Sequence, residues 1–71
     1  MTAEQKEALR RKIKFYMLDH NIPQNEIAKA IGSSEKYFSK VVRGEVTLTL
    51  NKMIALAKFM GTTVDDLITL K

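Results

Sequence analysis

Residues 24–44 read QNEIAKAIGSSEKYFSKVVRG, and the reading of that stretch decides the fold. Ile27, Ala28 and Ile31 recur at the three- and four-residue spacings of one helical face, and so do Phe38, Val41 and Val42. Gly32 lies between the two sets and can take the left-handed backbone that ends a helix sharply. Ser33 or Ser34 then offers a hydroxyl to cap the next helix. The spacing predicts helices over about residues 24–31 and 35–42, joined by a tight turn, with Gly44 closing the second. Ala28 is small enough to sit where two such helices cross. Glu35, Lys36, Tyr37, Ser39 and Lys40 crowd the outer side of the second helix, a polar load that a plain helical hairpin in an all-α core does not require.

Thr2 and Gln5 form a capping-box pattern, so a helix is expected to start at Ala3. Leu9, Ile13, Tyr16, Met17 and His20 give it one apolar stripe, with Arg10, Arg11 and Lys14 turned mostly away. It should end near His20 or Asn21, because Ile22 precedes Pro23 and is steered from helical geometry. Beyond Gly44, residues 45–48 (EVTL) are expected to be a linker; VTLTL has strand-like residues, but no partner strand is visible. Thr49 caps a fourth helix with Leu50, Met53, Ile54, Ala57 and Met60 inward, ended by Gly61. Thr63 with Asp66 starts a short fifth helix carrying Val64, Leu67 and Ile68. The expectation is an all-α single domain over residues 1–71: five short helices, with the paired helices at about 24–42.

The chain has 71 residues and no cysteine, so packing alone must hold it. No apolar run approaches the roughly 20 residues that span a bilayer. The N-terminus MTAEQKEALRRKIK is too charged for a signal peptide. A cytoplasmic protein is expected. The net charge is +4, with Lys and Arg concentrated in residues 6–14 and 29–43, whereas Lys52, Lys58 and Lys71 balance Glu45, Asp65 and Asp66 after Gly44. A basic first half suits a polyanionic partner and equally a solvated helix face.

The stretch from Gln24 through Ile27-Ala28, Ile31-Gly32, the Ser-rich turn, Phe38, Val41 and Arg43-Gly44 resembles the helix-turn-helix of the Cro and phage-repressor family, the lambda-repressor-like fold. TLNKMIALAKFMGTTVDDLI resembles the family's fourth and fifth helices, so the similarity covers about residues 13–68. The resemblance implies that the helix from Glu35 enters the major groove of a double-stranded operator, presenting its first residues to base edges. Those are Ser34, Glu35 and Lys36, with Ser39 and Lys40 one turn on. Lys36 or Lys40 can donate to guanine, and Glu35 can accept from cytosine N4. Tyr37 flanks the groove with its hydroxyl toward a phosphate. Gln24, Arg43 and Thr47 match positions that touch the DNA backbone.

The sequence departs from the family's pattern in four places. Pro23 stands where a capping Thr is common, and Ser33 where an apolar residue is usual. Glu35 replaces a commonly neutral reader and is costly against DNA unless it meets a cytosine or pairs with Lys36 or Lys40. Met17 and Val42 stand where relatives carry an Arg and a Glu joined as an ion pair. Loss of both charges together suggests an apolar contact between the first and third helices, since such replacements are often neutral or stabilising.

Other groups suggest little chemistry. His20 is the only histidine, too few ligands for a metal site, and it suits a helix end. Asp65 and Asp66 diverge on a helix and suit its N-terminus better than acid–base work. With no phosphate loop or nucleophile–base pair, neither enzyme activity nor a cofactor is expected. Phe59 either folds onto the core or joins Ile68 and Leu70 in an apolar partner surface. The resemblance therefore implies a DNA-binding transcriptional regulator, acting as a repressor and pairing as a homodimer. The rival is an antirepressor that forms a heteromeric complex with another repressor.

Overall fold

The computed structural model describes residues 2–69. Five helices follow one another: α1 (Ala3–His20), α2 (Gln24–Ala30), α3 (Glu35–Val42), α4 (Leu50–Met60) and α5 (Val64–Leu67). No strand occurs among the described residues, so the fold is all-α and VTLTL is linker plus cap. No helix among them is long and apolar enough to cross a membrane.

Local chemistry sets the helix starts. The Thr2 hydroxyl accepts from the Gln5 amide at 3.1 Å while the Gln5 side chain accepts from the Thr2 amide at 2.9 Å, the reciprocal pairing of a capping box. Ser34, Thr49 and Thr63 each accept from the backbone amide three residues on, which satisfies a donor the helix leaves free. Pro23 precedes α2 and offers no such bond. Asn21 ends α1 in the left-handed region at φ 53, and Ile22 is partly buried beside the core.

α3 packs against α2 and α1, α4 against α2 and α5, and α5 returns to α1. Phe38, Ile13, Ile27, Leu56, Leu67 and Val41 are the large side chains fully buried at the centre. Leu9, Ala28, Ile31, Val42, Met53 and Ala57 complete the core with Leu48, which lies in the segment expected to be a plain linker. Leu48 anchors that linker and fixes the path from α3 to α4.

The phase of α4 differs from expectation. Met53, Leu56 and Ala57 are buried and Met60 is half-buried, whereas Leu50 is 68% and Ile54 40% exposed. The set 50, 53, 54, 57 and the set 53, 56, 57, 60 both satisfy helical spacing; packing on α2 and α5 selects the second. In α1, Leu9 and Ile13 are buried with Ala8, while Tyr16 and Met17 are half-buried. His20 is exposed, its ring 4.2 Å from that of Tyr16.

Met17 packs on the cluster that contains Val42. Met17→Arg or Val42→Glu alone is expected to cost about 1–4 kcal/mol, by setting a charge against apolar surface. The double variant should recover part of that loss. A double-mutant cycle in urea unfolding checks this, and zero coupling would refute the pairing.

Candidate nucleic-acid interface

The turns before and after α3 set its position. Gly32 takes φ +72, and the Ser33 amide reaches back to the Ala28 carbonyl at 2.8 Å, closing α2 sharply. Ala28, 1% exposed, lets α2 and α3 approach. Phe38, Val41 and Val42 bury the inner face of α3. The opposite face is thereby fixed outward. Ser34, at the cap, is exposed, as are Glu35 and Lys36, and Ser39 and Lys40 are half-exposed one turn later.

The far end of α3 is braced by Arg10, a residue whose role the sequence does not reveal. Arg10 Nε donates to the Val42 carbonyl at 2.9 Å, and its Nη1 pairs with Glu7 at 2.9 Å. Val42 sits in the last turn, where carbonyls lack helical partners, so Arg10 ties α1 to the end of α3. Gly44 has φ +82, and a Cβ there would lie 3.1 Å from Arg10 Cδ. Gly44 thus serves both the turn and the passage of Arg10. On the other side, Lys52 Nζ donates to the Gly32 carbonyl at 2.9 Å, tying α4 to the turn that starts α3.

Several of the residues expected to meet DNA have partners within the chain. The Tyr37 hydroxyl donates to the Thr47 carbonyl at 2.7 Å. In the free chain that proton goes to the linker, and the bond ties Tyr37 to Thr47. Arg43 is exposed, but its Nε pairs with Glu45 at 2.5 Å and its Nη1 donates to Ser39 Oγ at 2.9 Å. Arg43 is therefore steered along α3 toward Ser39, and Glu45 offsets part of its charge. Ser34 spends its side-chain oxygen on the cap. Gln24, the first residue of α2, is half-exposed.

Glu35, Glu26, Lys29 and Asn25 line one cleft of about 460 Å³ between α2 and α3. Lys29 beside the two acids gives it mixed charge. Their joint placement is not visible in the sequence, because Glu26 and Glu35 lie on different helices.

The surface expected to meet partners divides. Phe59 packs half-buried against the core, its ring 5.9 Å from that of Tyr16 in an edge-on arrangement, and Ile68 is likewise half-buried. Leu70 lies outside the described residues. The large apolar side chains most exposed on α1 are instead Phe15, at 70%, and Leu18, at 83%.

Comparison with known proteins agrees with this geometry. A helix-turn-helix family model matches residues 13–67. The control protein C.SmaI of Serratia marcescens is 34% identical over 64 residues, covering 90% of this chain and 76% of its own length. An uncharacterized HTH-type transcriptional regulator of Methanocaldococcus jannaschii is 29% identical over 59 residues, covering 83% of this chain and 89% of its own. No solved structure matches significantly.

Proposed function

Because the chain belongs to the Cro/C1-type helix-turn-helix family, we propose that it is a transcriptional regulator that reads operator DNA with α3 and represses by occupying that operator. The observation that supports this best is the outward row Ser34, Glu35, Lys36, Ser39 and Lys40 on a helix whose other face is locked by Phe38, Val41 and Val42. A rigid helix with polar groups in its first two turns fits the major groove, where base edges are distinguished by donor and acceptor pattern. Lys36 or Lys40 donates to guanine, Glu35 accepts from cytosine, and Gln24, Arg43 and Thr47 meet the backbone. Two copies bind together, each on one half-site.

A second reading has its own support. Glu26 shares a cleft with Glu35 of the proposed reading row, and acids repel phosphates. That cleft suits a basic surface on another repressor, with the chain acting as an antirepressor.

Glu35→Gln separates the two readings. Under DNA reading it changes the preference at one base pair, by about 1–3 kcal/mol, in salt-titrated binding to selected and random duplexes. Under the second reading it raises affinity for random DNA and weakens capture of the repressor encoded nearest the gene. A change in neither assay would remove Glu35 from both roles.

A further inference from the structure

Phe15 and Leu18 are spaced three residues apart and so share one face of α1. Both are largely in solvent, at 70% and 83% exposure, on a helix that buries Leu9 and Ile13 on its other side. Phe15 also lines a groove of about 500 Å³ whose apolar walls include Tyr16, Met60 and Leu67. In a chain this small, two adjacent exposed side chains of that size beside an apolar groove mark an association surface.

The charges along the same groove indicate what covers it. Arg11 lies one turn before Phe15 and Asp19 one turn after it, both on the groove's rim. The Arg11 side chain is 71% exposed and the Asp19 side chain 61%. Each has a neighbour on its own helix, Arg11 with Glu7 at 3.1 Å and Asp19 with His20 at 3.5 Å, yet both stay mostly in solvent. The nearby Lys12 is engaged with the Asp66 carbonyl. The rim is therefore basic at one end and acidic at the other, with Phe15 midway. Such a patch is complementary to itself turned through a half rotation, which is the condition for a two-fold interface.

We propose that two copies of the chain pair through this outer face of α1, antiparallel about Phe15, with Arg11 of each copy facing Asp19 of the other. Phe15 meets Phe15 at the axis, and Leu18 extends the apolar contact to either side. The inference rests on the reading of the chain as a regulator that acts as a pair, and deepens it by naming the surface. It centres the interface on α1, whereas Phe59 and Ile68 pack on the core.

Sedimentation equilibrium over a concentration series tests this without DNA, so its outcome is separate from that of the operator assays. The unmodified chain should dimerise. Phe15→Ser with Leu18→Ser should weaken the dimer by roughly tenfold or more, with helical circular dichroism unchanged because both side chains are exposed. Arg11→Glu and Asp19→Arg should each weaken it, and the two together in one chain should restore it, because the reversed charges again match. A chain monomeric at every concentration, a dimer indifferent to the Phe15/Leu18 change, or a charge reversal no tighter than its single variants would overturn the proposal. Weakened operator binding with an intact dimer would bear on α3 alone.

Discussion

Phe38→Ala is expected to cost about 3–5 kcal/mol, the range for removing a buried aromatic side chain from a packed core. Phe38 is 0% exposed and lies in the middle of α3, in a cluster with residues of α1, α2, α4 and α5. The chain has 71 residues, and at about 0.05–0.15 kcal/mol per residue its total stability is on the order of 4–11 kcal/mol. The substitution thus removes a large share of it, and the melting temperature should fall by tens of degrees. Phe15→Ala, the same change at a 70% exposed position, should stay within about 0.5 kcal/mol when measured at concentrations where the chain is monomeric. Urea and thermal unfolding followed by circular dichroism measure both. Equal destabilisation at the two positions would mean that the core has been misplaced.

The contrast between those phenylalanines marks what the sequence could convey about the fold. Helix starts were legible because a cap is a local bond: Thr2 with Gln5, Ser34 with Tyr37 and Thr63 with Asp66 all lie three residues apart. The inner face of α3 was legible because Phe38, Val41 and Val42 offer one helical stripe. The phase of α4 was not, because leucine, methionine, isoleucine and alanine supply two overlapping stripes. Only packing against α2 and α5 buries Leu56 and leaves Leu50 in solvent. In α1, Phe15 and Leu18 form a second apolar pair beside the core stripe, and periodicity alone does not say that the pair stays exposed.

At the candidate site, register was legible and hydrogen-bond partners were not. The first turn after a cap is outward once the buried stripe is known, so Ser34, Glu35 and Lys36 could be placed from sequence. Hydrogen bonds that span loops or distant segments could not. Tyr37 engages a carbonyl ten residues on, and Arg10 reaches one thirty-two residues on. Backbone carbonyls leave no trace in residue identity. The nearer Arg43–Glu45 pair was available in the sequence, but the Arg–Gly–Glu turn had to fold before the two could be seen to meet.

That pair sharpens the expected outcome for the recognition helix. Lys36→Ala or Lys40→Ala, whichever residue reads a guanine, should weaken binding by about 1–3 kcal/mol on the preferred operator and much less on random DNA, because a group that reads a base matters only where that base is present. Arg43→Ala should behave differently. Its guanidinium lies at the end of α3, near the expected path of the DNA backbone, so binding to all sequences should weaken together. Removing one cation from a phosphate should make the salt dependence shallower by about one unit. Glu45 holds Arg43 Nε and competes with phosphate for it. Glu45→Gln should therefore strengthen binding to random DNA and steepen its salt dependence, and adding Arg43→Ala should abolish that gain. Salt-titrated anisotropy on selected and random duplexes measures all of these. If Lys36, Lys40 and Arg43 can each be replaced with no change on either duplex, α3 is not the element that meets DNA, and the acidic cleft formed by Glu26 and Glu35 becomes the surface to pursue.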